Sequence, residues 1–378
     1  MRIVMVSARY LPFAGGTETH VREVATRLAR KGHSVTVLTG NPDGNLAARE
    51  ILDGVQVVRL ETFPKGRDWC FAPGIFKAVA EGNWDLMHVQ GYHTFLAPFA
   101  MIAAIRNRMP FVVTFHSGGH SSRFRTAMRR LQHKVLAPLT SRAAQLIGVS
   151  RFEADLFSEN MAIARDRFAV IPNGARLPQT SNAQRMRSGE GKLIVSLGRL
   201  ERYKGHHRVL AAFNVLAAKF PDLRLRLLGE GPYEASLRQQ VARFGLEGRV
   251  EIGSIPAAER SAMADLLSSA ALVVLLSDYE AHPVAVMEAL SVKAPVLTTD
   301  TSGFQELAAE GLIRTVPLDA SADLTARAML DAMNEGPVSM ETTLPDWDDC
   351  AGQLLTVYRR VLSHSPPQTM AVPVGSEI

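Results

Sequence analysis

Short apolar runs alternate along the chain with longer segments whose apolar residues recur at helical spacing. Apolar runs of this kind, without polar alternation, suit strands buried on both faces of a parallel sheet. In the first half they predict strands at Arg2–Ser7, Ser34–Thr39, Val55–Leu60, Leu86–Val89, Phe111–Phe115, Gln145–Val149 and Phe168–Ile171. Helical spacing falls between several of them, as at Thr17–Lys31 and Phe95–Arg106. A polar stretch from Pro178 to Gly191 has the composition of a linker. The alternation then restarts with strands at Leu193–Leu197, Leu223–Leu228, Val250–Ile252 and Leu272–Leu276. Helices are expected at His206–Lys219, Tyr233–Phe244 and Ala257–Ala270. Strand–helix alternation of this form marks an α/β architecture.

The expected organisation is two α/β domains, 1–178 and 179–345, then a helical segment at 346–363 and a tail at 364–378. A length of 378 residues suits two cores better than one. The tail holds Ser, Pro and Gly with little apolar surface and reads as disordered.

Composition excludes several classes. No apolar run approaches the roughly 20 residues that span a bilayer. The N-terminus reads as a first strand and not as a signal peptide. The two cysteines, Cys70 and Cys350, offer neither metal spacing nor a disulfide framework, so a reducing cytosol is expected. The net charge of +5 is unevenly placed: residues 1–178 are strongly basic and the remainder is acidic. The front half therefore suits an anionic partner, whether nucleic acid, a membrane surface or a phosphorylated lipid. Within it, Arg123 to Arg142 sets Phe124, Met128, Leu131, Val135 and Leu139 on one helical face and crowds Arg123, Arg125, Arg129, Arg130 and Lys134 elsewhere. That pattern fits an anionic membrane surface, or equally a core-packed helix with a basic outer side.

The densest chemistry lies in Ser277–Leu290. Glu280 falls in the loop after a strand, Pro283 suits the first helical position, and Glu288 lies inside the following helix. Open α/β sheets bind ligands at the carboxyl ends of their strands. A helix start attracts anions, and two carboxylates there can hold hydroxyls, so the segment suits a phosphorylated sugar. Gly15-Gly16 follows the first strand, either as a close backbone approach to a diphosphate or as a plain tight turn. Glu18 beside it also fits a dipole-complementing acid. His116 ends a strand beside Gly118-Gly119, as a ligand contact or as a structural histidine. Arg199 and Lys204 flank another strand end, as cations for a leaving diphosphate or as solvated surface charges. Asp346-Trp347-Asp348 has the spacing of a metal-binding D-x-D motif, but it precedes the helical pattern Cys350–Leu362 and reads better as a cap, so no metal is assigned.

Taken in order, Gly15-Gly16-Thr17-Glu18, Thr114-Phe115-His116, Ile171-Pro172-Asn173-Gly174, Gly198-Arg199-Leu200 with Lys204-Gly205, and the Glu280/Glu288 pair resemble the retaining GT-B glycosyltransferases of family 4. The resemblance implies two Rossmann-like domains facing across a cleft, the first binding an acceptor and the second a nucleotide sugar. It implies transfer of the sugar to a hydroxyl of a saccharide or lipid-linked acceptor with retention, in bacterial polysaccharide or glycolipid assembly. The nucleotide-diphosphate sugar would be a substrate, with no cofactor and no metal. His116 and Glu280 would orient the sugar, Glu288 would hold the ribose, and Arg199, Lys204 and the amides of Gly15 and Gly16 would stabilise the leaving diphosphate. A cytoplasmic enzyme is implied, peripheral on the inner face of the membrane and without nucleic acid as a partner. The chain departs from the family at Ala281-His282-Pro283, where Gly-Phe-Gly is usual, and at Ala175-Arg176, where a hydrophobic residue and Asp are usual. A GT-B sugar-nucleotide epimerase and a non-catalytic sugar-nucleotide-binding protein are the rival readings. A dinucleotide-dependent role is disfavoured, because no G-x-G-x-x-G opens either half.

Overall fold

The computed structural model describes residues 1–13, 15–65, 71–92, 94–116, 123–178, 192–256, 259–338 and 343–364. Gly118-Gly119, most of the 178–191 linker stretch and the tail beyond His364 lie outside these residues, as do the side chains of Arg123, Phe124, Arg125 and Arg130.

The first sheet holds β1 (Arg2–Ser7), β2 (Ser34–Asn41), β3 (Arg49–Leu52), β4 (Val55–Glu61), β5 (Leu86–Gln90), β6 (Phe111–Thr114), β7 (Gln145–Gly148) and β8 (Phe168–Val170). Their order is β3-β4-β2-β1-β5-β6-β7-β8, with β3 alone antiparallel to its neighbour. Helices α1 (Gly16–Arg30), α2 (Gly74–Glu81), α3 (Leu96–Arg106), α4 (Arg123–Thr140) and α5 (Arg151–Met161) belong to this half. The chain leaves β1 towards β2 and later returns to β5 on its other side, so the strand order reverses between them. A crevice opens at such a switch point, beyond the strands' carboxyl ends.

The second sheet is parallel throughout, in the order β11-β10-β9-β12-β13-β14. Its strands are β9 (Leu193–Leu197), β10 (Arg224–Leu228), β11 (Val250–Gly253), β12 (Leu272–Leu275), β13 (Val296–Thr299) and β14 (Arg314–Val316). Its helices are α6 (His206–Ala217), α7 (Glu234–Arg243), α8 (Arg260–Ser269), α9 (Val284–Ser291), α10 (Phe304–Ala309) and α11 (Ala322–Glu335). Here the reversal falls between β9 and β12, whose following loops carry Lys204 and Glu280.

A last helix, α12 (Trp347–His364), crosses back to the first domain. Trp347, Cys350, Leu354 and Tyr358 are fully buried with Val21, Val24 and Leu28 of α1 and Ile3 and Met5 of β1. Asp346 caps α12: its Oδ1 accepts from the amides of Asp348 at 2.7 Å and Asp349 at 2.9 Å, while its own amide donates to Asp349 Oδ2 at 2.9 Å. That reciprocal arrangement satisfies N–H groups left unpaired at a helix start.

Two local expectations shift, and one left open is decided. Pro283 is not the first helical residue but the N-cap, in extended backbone with ψ 119°, and α9 begins at Val284. The helix expected from Ala257 begins at Arg260, with residues 257 and 258 outside the described set. In α4 the apolar face splits from the core: Met128, Leu131 and Val135 are 43%, 53% and 65% exposed, while His133, Leu136 and Thr140 face inward.

The crossing between sheets and α12 leaves no room at Gly174. A methyl group there would lie 2.3 Å from Trp347 N and 2.4 Å from the Asp346 carbonyl carbon, both backbone atoms. Gly174→Ala is therefore expected to destabilise the protein by about 1–3 kcal/mol through overpacking. A urea titration against wild type checks this, and an unchanged midpoint would contradict the close approach.

Candidate active site

Lys204 ends the loop that leaves β9. Gly205 next to it adopts φ +74°, and a methyl group there would fall 1.8 Å from the Leu276 carbonyl oxygen. Only glycine combines that backbone with that contact, and the loop thereby rests on the end of β12. Lys204 Nζ consequently reaches Glu280 Oε1 at 2.5 Å, with side chains 15% and 8% exposed. Ser277 Oγ donates to the same oxygen at 2.8 Å. The Glu280 backbone is pinned too: its amide donates to Ser302 Oγ at 2.9 Å, and its carbonyl accepts from Gly303 N at 2.9 Å. Burial opposes the charge on Lys204, but the Glu280 carboxylate outweighs it and holds the ammonium above the ordinary lysine value. Arg199 is exposed on the same loop, close enough to oppose that charge.

Glu288 lies in α9 and is 5% exposed. It pairs with Arg260, the first residue of α8. Burial pushes the Glu288 carboxyl above its usual range, and the guanidinium opposes this. Sequence reading missed Arg260, and no local signal marks it, because the two residues lie on separate helices.

The first domain contributes His116, whose backbone is left-handed at φ +49°. Such a conformation is uncommon outside glycine and concentrates at functional sites. Its Nε2 lies 2.7 Å from Gln90 Oε1, and its ring meets His20 edge-on at 4.4 Å. His20 Nδ1 lies 2.8 Å from Asn173 Oδ1, and Asn173 Nδ2 donates to the His282 carbonyl at 2.7 Å. At the start of α1 the Glu18 carboxylate folds back onto Gly15, where a methyl group would meet Glu18 Oε2 at 2.3 Å. The amide end of α1 is thus covered by its own acid. Gly16 faces α9: a methyl group there would lie 3.9 Å from Val284 Cγ2. Two positive helix ends therefore converge between the sheets.

The cleft is also bridged on its other side. The Glu306 carboxylate of α10 accepts from Arg151 N at 3.1 Å and from Phe152 N at the start of α5. Phe152 meets Tyr279 edge-on at 5.6 Å. The structure thus brings Lys204 and Glu280 into contact, sets Glu288 on the neighbouring helix, and places His116 and Gly16 on the opposing domain. A hollow of about 570 Å³ beside β11 lies away from all of them. Its arginines are engaged, Arg226 with Glu251, Arg238 with Glu234 and Arg249 with the Phe220 and Pro221 carbonyls.

Two parallel-sheet domains opposed at their switch points form the GT-B architecture of glycosyltransferases. Sucrose-phosphate synthase from Thermosynechococcus elongatus superposes on 96% of the chain and 100% of its own with a TM-score of 0.76, at 20% identity. The profile of Glycosyltransferase Family 4 matches residues 14–177, and that of Glycosyl transferases group 1 matches residues 179–342. Glycogen synthase of Mycobacterium tuberculosis is 30% identical over 88% of this chain and 86% of its own. The GDP-mannose:cellobiosyl-diphosphopolyprenol alpha-mannosyltransferase of Xanthomonas oryzae is 26% identical over 96% and 97%. The chain belongs to the family 4, group 1 glycosyltransferases.

The site and its surroundings predict an acid-sensitive fold. Burial pushes His20, His206 and His282 from 6.5 down to about 4. Between those values the unfolded chain binds protons that the folded chain refuses. Their contribution is therefore complete above about pH 6.5 and is lost as the pH falls towards 4. Glu288, raised from 4.5, works in the opposite direction and offsets part of the loss. The urea midpoint should drop between pH 7 and pH 4.5, and a flat or rising midpoint would count against neutral burial of these imidazoles.

Proposed function

We propose that the chain is a metal-independent retaining glycosyltransferase that moves a sugar from a nucleoside-diphosphate sugar to a hydroxyl of a saccharide or lipid-linked acceptor. The observation that carries this reading is the meeting of Lys204 and Glu280 at the switch point of the second sheet. One group suits the diphosphate and the other the sugar's hydroxyls. Residues 1–178 bind the acceptor, and residues 179–345 bind the donor. Glu288, paired with Arg260, accepts hydrogen bonds from the ribose. Charge develops on the diphosphate oxygens as the sugar leaves, and Lys204 and Arg199 stabilise it, supplying the positive charge that a metal would otherwise provide. The amides of Gly15 and Gly16 join them once Glu18 yields to the phosphate. His116 and Glu280 orient the sugar. The acceptor hydroxyl attacks on the face that the diphosphate leaves, and a departing phosphate oxygen takes its proton.

The Xanthomonas relative is named for a diphosphopolyprenol-linked acceptor, and a lipid-linked saccharide is the acceptor class inferred for this chain. Among the described residues no helix is long and apolar enough to cross a membrane. The exposed Met128, Leu131 and Val135 of α4, with Phe95 at the start of α3 and Arg129 and Lys134 alongside, instead suit peripheral contact with an anionic cytoplasmic leaflet.

Glu280→Gln should lower kcat by roughly 10²–10³-fold with the fold intact, because an oriented group at the reacting sugar is lost. GDP-mannose is the first donor to assay. Its thermal shift should vanish in Glu288→Ala, and unaltered turnover in Glu280→Gln would refute the assignment. Product analysis separates transfer from epimerisation, which needs no acceptor.

Lys134→Glu should weaken co-sedimentation with anionic vesicles by at least about 5-fold, each cation near such a surface being worth about 1 kcal/mol. Leu131→Asp should weaken it on neutral and anionic vesicles alike. Unchanged sedimentation of both variants would remove α4 from the membrane contact.

A further inference from the structure

One buried imidazole ties together the two ends of the loop that carries Arg199 and Lys204. β9 runs into Gly198 and α6 begins at His206, so residues 198–205 make the whole connection. Ser196 of β9 and His206 are both 0% exposed. Ser196 Oγ lies 3.0 Å from His206 Nδ1, and His206 Nε2 lies 3.3 Å from the Gly198 carbonyl oxygen. The ring thus joins the start of α6 to the end of β9 across the loop they delimit. The same loop rests on the glycine turn after β10. Gly198 N donates to the Leu228 carbonyl and Leu200 N to the Glu230 carbonyl, both at 2.9 Å. A methyl group on Gly229 would lie 2.0 Å from the Gly198 oxygen.

The proton positions follow from the carbonyl. An oxygen of that kind only accepts, so His206 Nε2 carries a proton. Burial pushes the imidazole down to about 4, against the pull of the Gly198 and Arg199 backbone, so the ring is neutral at pH 7. Its single proton is therefore on Nε2, and the bare Nδ1 accepts from the Ser196 hydroxyl. With both nitrogens paired to the end of β9, the ring has one orientation. A buried polar ring costs free energy unless it is bonded in this way. An apolar side chain of similar bulk would fill the space but leave the Gly198 carbonyl without this donor. The neutral ring also adds no charge beside the Lys204 ammonium, which lies close enough to oppose its protonation.

We propose that His206 is a positioning residue for the leaving group: its imidazole braces the loop from Gly198 to Gly205 and holds the loop's cations where a departing diphosphate needs them. The diphosphate contact rests on the roles given to Arg199 and Lys204 above, whereas the brace and its tautomer do not. No contact between His206 and substrate is required, because its effect passes through the backbone. The Gly198 carbonyl belongs to the peptide that leads into Arg199. At the other end Gly205 packs against the Leu276 carbonyl oxygen. Lys204, the residue before it, pairs with Glu280 Oε1 at 2.5 Å. A shift at either end of the loop therefore moves a cation within the site.

Nitrogen-15 spectra of histidine-labelled protein test the brace without substrate, with His206→Gln identifying the signal. Wild type should show a protonated Nε2 and a bare Nδ1 at His206. Competition against the donor tests the positioning, with GDP and guanosine as probes, or UDP and uridine where a UDP-sugar is the donor turned over. His206→Leu should weaken the diphosphate roughly 10-fold and lower kcat by about as much, as expected of misplaced groups, while the nucleoside loses less than about 2-fold. His206→Gln keeps an N–H near the Nε2 position and should restore most of both. Ser196→Ala releases one side of the ring and should give the same selective loss at about 5-fold, the worth of one hydrogen bond, so the test does not depend on the leucine variant folding. A protonated Nδ1 in wild type overturns the brace. Equal losses for diphosphate and nucleoside, or no loss in either His206→Leu or Ser196→Ala, overturn the positioning role. A wild type that binds no nucleoside diphosphate overturns the proposed function and the positioning role with it, while the spectrum still decides the brace.

Discussion

Asn173 stands where the chain passes between the two sheets, 4% exposed, and its amide bonds into both halves. It meets His20 Nδ1 of α1 at 2.8 Å and donates to the His282 carbonyl at 2.7 Å. His282 precedes Pro283, the N-cap of α9, so this one side chain sets where α9 begins relative to α1. Glu288 and Glu280 inherit their positions from that start. On the other side, the His20 ring packs against His116 at 4.4 Å and against Trp347 at 5.8 Å. A buried polar group left without its partner costs about 1–3 kcal/mol. Rotation of one domain against the other must break or rehydrate the bond from this amide to the His282 carbonyl, which makes the facing arrangement a defined state.

The buried acids are informative because they are poor devices for stability. Taking paired charges out of water is often no better than apolar packing, yet Glu280–Lys204 and Glu288–Arg260 are both nearly buried. Each cation pairs with a nearly buried carboxylate. Under the proposed function, a diphosphate would offer Lys204 a second anion and sugar hydroxyls would offer Glu280 new donors, so binding would exchange partners without creating charge. The groups are already largely desolvated and fixed, which is the condition under which electrostatic stabilisation of a leaving group is strongest.

The parallel strands were legible because doubly buried strands are uninterrupted apolar runs, as in β1 and β12. The antiparallel edge strand β3 was not, since Arg-Glu-Ile-Leu at an exposed edge carries no such run. Short β13 and β14 escaped notice among similarly apolar helical segments. Lys204, Glu280 and Glu288 could be picked out because each follows a strand, and open α/β sheets bind ligands at strand ends. Arg260 could not, because its contact with Glu288 joins two helices that no spacing rule relates. His206 was hidden for another reason: it opens the expected helix His206–Lys219, and nothing in that pattern shows that its ring is buried. In α4 the pattern was legible but left its orientation open, because a core-facing stripe and an exposed stripe have the same period. Only the packing of His133 and Leu136 shows which side faces in.

The two bridges across the cleft differ in kind. Asn173 lies at the covalent crossing and is buried, whereas the clasp between Glu306 and α5 joins residues far apart in sequence near solvent. Arg151 and Phe152 present amides that the first turn of a helix leaves unpaired, and water can satisfy them as readily as Glu306 does. Parting the clasp is therefore less costly than parting the amide, and the clasp is the side on which the cleft can open. Tyr279, packed against Phe152, is the residue before Glu280. Opening on that side withdraws the Phe152 contact from the loop that carries Glu280, while the arrangement around Asn173 persists. Domain motion and the geometry of Glu280 are thereby coupled through adjacent residues of one loop, as expected of an enzyme that completes its site on closure.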